Sequence, residues 1–118
     1  MMLEKLNLPI AKVLGLHLTI FCGDFQWTEN PRDGLIIYEG HLATNWNALM
    51  TAVAKIPNAS FFRDENHWSC WQDMLFDTPL EITTHKVLRC KHHREDFTIG
   101  NSESEALALA RCIREVQQ

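Results

Sequence analysis

The chain has 118 residues, 46% hydrophobic and 22% charged, a size and balance that suit one globular domain and exclude a second domain, a disordered tail or a collagen-like array. Eleven Lys and Arg stand against fifteen Asp and Glu, leaving a formal charge of −4, so the overall attraction to phosphate that a nucleic-acid partner demands is missing. A core of this size stands without a metal or a disulfide, so stability alone calls for no cofactor.

Met1-Met2-Leu3-Glu4-Lys5 lacks the charged start and apolar run of a signal peptide. Apolar stretches such as Leu35-Ile36-Ile37-Tyr38 fall far short of the roughly 20 residues that cross a bilayer. A cytoplasmic chain with no membrane partner is the expectation. There Cys22, Cys70, Cys90 and Cys112 stay reduced, as free and mostly buried thiols.

In chain order, Pro9 opens a short N-terminal helix over residues 9–14, and Gly15 ends it. Residues 16–22 are rich in β-branched and aromatic side chains and stop at Gly23-Asp24, which predicts a strand. Turn formers fill residues 29–34, and residues 35–38 resume the β-type composition, predicting two antiparallel strands joined by a surface loop. Thr44 or Asn45 caps a helix that Pro57 stops, with Trp46, Leu49, Met50, Val53 and Ile56 as its core stripe. Between residues 59 and 99 the β-prone runs are 60–63, 68–76, 81–88 and 96–99, giving about three or four strands with turns at 64–66 and 77–79. Ser102 and Glu105 form a capping box that starts a helix over 103–116. Its buried side is Ala106, Leu107, Leu109, Ala110, Ile113 and Val116. The sum is an α+β domain over residues 1–118. One antiparallel sheet of about four to five strands carries the two main amphipathic helices on one face, beside the short N-terminal helix.

Three places carry a resemblance: Ile10-Ala11-Lys12-Val13-Leu14-Gly15; Tyr38 with the run Asn45-Trp46-Asn47-Ala48-Leu49-Met50; and Ser102-Glu103-Ser104-Glu105-Ala106-Leu107. The chain resembles a group of small uncharacterised proteins of bacteriophage and bacterial genomes. In that group an I-A-x-x-x-G start, a Trp-x-x-Leu-Met helix and an acidic-capped C-terminal helix recur in this order. Asn45 and Thr51 stand here where the group has Asp and Pro. The resemblance implies the fold above and a phage or prophage setting; it carries over no catalytic residue.

Chemistry-bearing residues are scattered. His67-x-x-Cys70 and Cys90-x-x-His93 would supply the four nitrogen and sulfur ligands of a closed structural zinc site if a hairpin gathered them, but on strands residues i and i+3 point to opposite faces. His17-Leu18-Thr19 resembles half of a two-histidine phosphoesterase pattern, and His85-Lys86-Val87 lacks the hydroxyl of the other half. Cys90, His92 or His93, and Glu95 or Asp96 have the residue types of a nucleophile, a base and an orienter, in what reads as a solvated polar turn. Trp27 falls in a polar loop, while Trp68 with Cys70 and Trp71 fall on opposite faces of one strand, so these tryptophans are the candidates for partner contact. Phosphate loops, nucleophile elbows and dinucleotide fingerprints are absent. The expectation is a small non-enzymatic interaction protein that binds a macromolecular partner or itself. The alternative is a metal- or histidine-dependent hydrolase, or a zinc-stabilised module, using the His67 to His93 region.

Overall fold

A computed structural model describes residues 3–76 and 87–117, with the backbone alone for 73–76 and 87–90. The fold is α+β. Its elements in order are α1 (Leu3–Leu14), β1 (His17–Phe21), β2 (Asp24–Thr28), β3 (Tyr38–Glu39), a 3-10 turn (Leu42–Thr44), α2 (Trp46–Lys55), β4 (Ala59–Asp64), β5 (His67–Phe76), β6 (Val87–Asp96) and α3 (Ser102–Gln117). The strands form two antiparallel three-stranded sheets, β1-β2-β3 and β4-β5-β6, where the sequence predicts one larger sheet. The cause is local. Two-residue turns at Cys22-Gly23 and Glu65-Asn66 close a hairpin in each half, and α2 carries the chain away between them. Alternation marks a strand without naming its neighbour.

Helix α1 begins six residues before Pro9, which lies inside it. The proline removes the bond its amide would give to Lys5, and burial of Leu6, Asn7, Ile10, Ala11 and Leu14 outweighs that loss. The helix ends in a Schellman arrangement: Leu16 N–H donates to the Ala11 carbonyl at 2.9 Å and Gly15 N–H to Lys12 at 3.4 Å, with Gly15 left-handed at φ 69°. Asn7, fully enclosed, ties α1 to the 3-10 turn. Its Oδ1 accepts from Ala43 N–H at 3.0 Å and its Nδ2 donates to His41 Nδ1 at 2.9 Å.

In α2 the Asn45 side chain accepts from Ala48 N–H at 3.1 Å, which makes Asn45 the cap of the two residues the sequence offers. The buried stripe, however, is Ala48, Leu49, Ala52 and Ile56, while Met50 is exposed. Alanines let α2 sit close against α1 and α3, so it packs on helices instead of on a sheet. Helix α3 is capped one residue earlier than the capping box predicts. Asn101 Oδ1 accepts from Ser104 N–H at 3.1 Å, and the Glu105 carboxylate pairs with Arg63 on β4 instead of reaching back. Its buried side is broad, adding Ala108 and Cys112 to the expected residues and leaving Leu107 half-buried, because β5 and β6 lie on one flank and α1 and α2 on the other.

Residues 96–99 are no separate strand: Asp96 ends β6, and Phe97 N–H donates to the Asn66 carbonyl at 3.0 Å. The expected turn at 77–79 and most of the expected strand at 81–88 fall outside the described residues, as does His85.

Candidate interaction surface

The four candidate zinc ligands sit on the β5–β6 ladder, which brings Cys70 and His93 together and sets His67 and Cys90 apart from them. Cys70 stands opposite His93, His67 opposite Asp96, and Cys90 opposite Asp73, so the pairs lie three positions apart along the strands. Cys70 and His67 point to opposite faces of β5. Both ring nitrogens of His67 are engaged: Arg94 Nη2 donates to Nδ1 at 2.9 Å, and Nε2 meets the Asp96 carboxylate. Among the described residues no group of His, Cys, Asp and Glu is arranged to hold a metal ion.

Nor does the polar stretch 89–96 form a turn. It is most of β6, and two of its side chains reach α3, Lys91 toward Glu115 and Glu95 toward Arg111. His93 Nε2 lies 3.1 Å from Glu95, whose other oxygen accepts from Arg111 of α3 at 3.2 Å. An imidazole held by a carboxylate is half of a nucleophilic device. The thiol across the ladder is turned elsewhere: Cys70 Sγ, fully buried, donates to the Cys112 carbonyl at 3.4 Å, and Cys112 Sγ donates to the Trp68 carbonyl at 3.5 Å. The hydrogen bond with Cys70, then burial, pushes the Cys112 thiol far up. These thiols stitch α3 to β5. Cys22, in contrast, is exposed.

The tryptophans divide. Trp27 lies in β2, an element the polar look of residues 24–28 conceals, and is 1% exposed, with its indole N–H donating to the Gly40 carbonyl at 2.8 Å. It is a core residue, and its ring lines the inner side of a groove between α1 and β1. Trp68 packs against the core from β5. Trp71 faces the other way, half-buried between Phe62 and His92, with ring centroids 4.9 and 5.8 Å away.

An open apolar surface lies on the first sheet. Register places Leu18 beside Trp27 and Ile20 beside Phe25, so these four share one face of the first sheet. The helices close that face over Trp27 and leave β1 open: Leu18 is 42% exposed, Ile20 61%, and Leu8 of α1, across from them, 62%. A groove of about 360 Å³ runs between α1 and β1, lined by Leu8, Leu18, Ile20 and Phe25 together with the charged Glu4 and Lys5.

The backbone of β1 is open as well. The Phe25 carbonyl accepts from Gly40 N–H and the Trp27 carbonyl from Ile37 N–H, at 2.9 and 2.8 Å. Those two residues of β2 therefore bond toward β3, which leaves Asp24, Gln26 and Thr28 to bond with Phe21, Thr19 and His17 of β1. Leu18 and Ile20 consequently turn their N–H and C=O groups outward at a sheet edge. Native edges are commonly blunted by charges, proline or a bulge. The strand His17-Leu18-Thr19-Ile20-Phe21 has no Lys, Arg, Asp, Glu or Pro and pairs residue for residue with β2.

The sequence marks β1 as a strand, but nothing local to it says that the strand is an edge. The available signal is the missing charge, which becomes informative only once the sheet order is known. Among the described residues no helix is long and apolar enough to cross a membrane. Comparison with protein-family models, with curated proteins and with solved structures found no match.

Proposed function

We propose that this is a small non-enzymatic interaction protein whose working surface is the open edge of β1 and the groove beside it. The supporting observation is the coincidence of three features at one place: outward peptide groups at Leu18 and Ile20, apolar side chains on the closed face of the sheet left in solvent, and an edge without charge. Such an edge takes an extended segment of a protein, with main-chain hydrogen bonds supplying affinity and alternate side chains entering the groove. Nucleic acid is a poor fit, since the groove is mostly apolar and the chain is acidic. A cytoplasmic location and the phage or prophage setting implied by the resemblance belong to the same proposal.

The test compares tagged wild type with the double variant Leu18→Lys/Ile20→Lys and with Phe62→Lys, which alters the exposed aromatic face of the other sheet. Association with any chain, its own included, should fall more than tenfold in the double variant and persist in Phe62→Lys, with circular dichroism unchanged in both. Undiminished association in a folded double variant removes β1 as the working surface.

A further inference from the structure

We infer that the chain filling this edge is a second copy of itself, paired antiparallel with β1 about a two-fold axis through Thr19. The inference rests on the interaction reading above and names its partner.

Residue by residue, β1 is its own complement. A two-fold axis through Thr19 sets Leu18 opposite the second copy's Ile20, Ile20 opposite its Leu18, and His17 opposite its Phe21. Leu18 and Ile20 are the residues whose peptide groups face outward. Both of the new pairs therefore exchange two N–H···O bonds, while Thr19 meets its counterpart in the wide, non-bonded position. A register shifted by one residue would set an outward peptide against an inward one and lose the bonds. No like charges face each other along the strand, since it has no acidic or Lys/Arg side chain.

The side chains agree with the backbone. An axis normal to the sheet keeps both closed faces on the same side, so Leu18, Ile20 and Leu8 of both copies enter one apolar layer across a six-stranded sheet. Those three are the groove's exposed apolar side chains, and each copy covers the other's. Glu4 and Lys5 give each groove one charge of each sign, so opposed grooves can pair charges instead of repelling. The contact is isologous and uses up the β1 edge in both copies, so it closes at two. With a five-residue strand at its centre the interface falls at the small end of specific contacts, where weak and transient association is found.

Sedimentation equilibrium of the purified chain should show a dimer at about 500 µM that dissociates on dilution to a few µM. Over the same range the amides of Leu18 and Ile20 should gain protection from hydrogen exchange at the high concentration, while those of Thr19 and Phe21 stay protected throughout. Ile20→Lys sets a charge in the shared layer, and Ile20→Pro removes an outward N–H without touching the ladder to β2; both should be monomeric at the high concentration. A wild type that remains a monomer there overturns the inference, as does a dimer that survives in a folded Ile20 variant. Should neither variant fold, the exchange of Leu18 and Ile20 in wild type decides alone: protection that does not rise with concentration overturns it. A monomeric wild type that nevertheless captures another chain through Leu18 and Ile20 removes the second copy as partner and leaves the interaction surface standing.

Discussion

Asn7 and Thr28 are the two buried polar residues among those described, and they carry opposite consequences for stability. The amide of Asn7 satisfies Ala43 N–H and His41 Nδ1 together. Replacing it by leucine strands a donor on the fully buried Ala43, at a cost of about 2–3 kcal/mol. The hydroxyl of Thr28 is buried without a hydrogen-bond partner, so Thr28→Val removes an unsatisfied polar atom while keeping the shape and should stabilise by about 1 kcal/mol. Urea unfolding of the two variants, read at constant m, should therefore move the midpoint in opposite directions. A stabilised Asn7→Leu would mean that the tie between α1 and the 3-10 turn carries no weight. Nothing local in the sequence marks Asn7, because it sits one residue after Leu6 in a stretch that Pro9, read as a helix start, leaves outside the helix. Only the packed fold shows that its side chain lies among the apolar residues.

Elements were legible where a local signal decides them and illegible where a distant contact does. A cap at Thr44 or Asn45 and a strand within residues 16–22 follow from side-chain chemistry alone, and the structure has Asn45 as the cap and His17–Phe21 as the strand. The start of α1 does not follow in this way, since burial of its N-terminal half against the other helices overrides proline. Strand β2 was hidden because the closed face contributes only Phe25 and Trp27, set among Asp24, Gln26 and Thr28. The turn before it is legible only in three dimensions: Cys22 at φ 52° and Gly23 at φ 79° are both left-handed, as a type I′ hairpin demands. The capping box of α3 was a near miss with a sharp test. Asn101 holds the Ser104 amide, so Asn101→Ala should cost about 1 kcal/mol. Ser102→Ala should fall within about 0.5 kcal/mol of wild type, as an exposed substitution away from any cap does. Thermal or urea unfolding of the pair distinguishes them, and the reverse ranking would restore Ser102 as the cap.

At the scale of the whole molecule the two sheets differ in how they are finished. The second sheet has α3 across β5 and β6, sealed by Cys70, Cys112 and the His93, Glu95 and Arg111 contacts. The first has its closed face covered over β2 and bare over β1. The sequence could not show this imbalance, because leucine and isoleucine at alternate positions read alike in a covered strand and an open one. Nor could it show that the ladder sets Cys70 opposite His93 while His67 and Cys90 face Asp96 and Asp73. An uneven finish has a thermodynamic consequence once a second copy covers β1. Unfolding then releases two chains from each native dimer, so the native state gains by mass action, about 2.7 kcal/mol per dimer at a concentration a hundredfold above the dissociation constant. For a chain of this length that corresponds to a rise in Tm of roughly 3–6 °C. The rise should appear between dilute and concentrated wild type in scanning calorimetry and be absent in Ile20→Lys. Phe62→Lys, which leaves β1 intact, should keep the full concentration dependence. Equal slopes in wild type and Ile20→Lys would mean that β1 contributes nothing to assembly, and the bare half of the first sheet would then be a feature of the folded monomer itself.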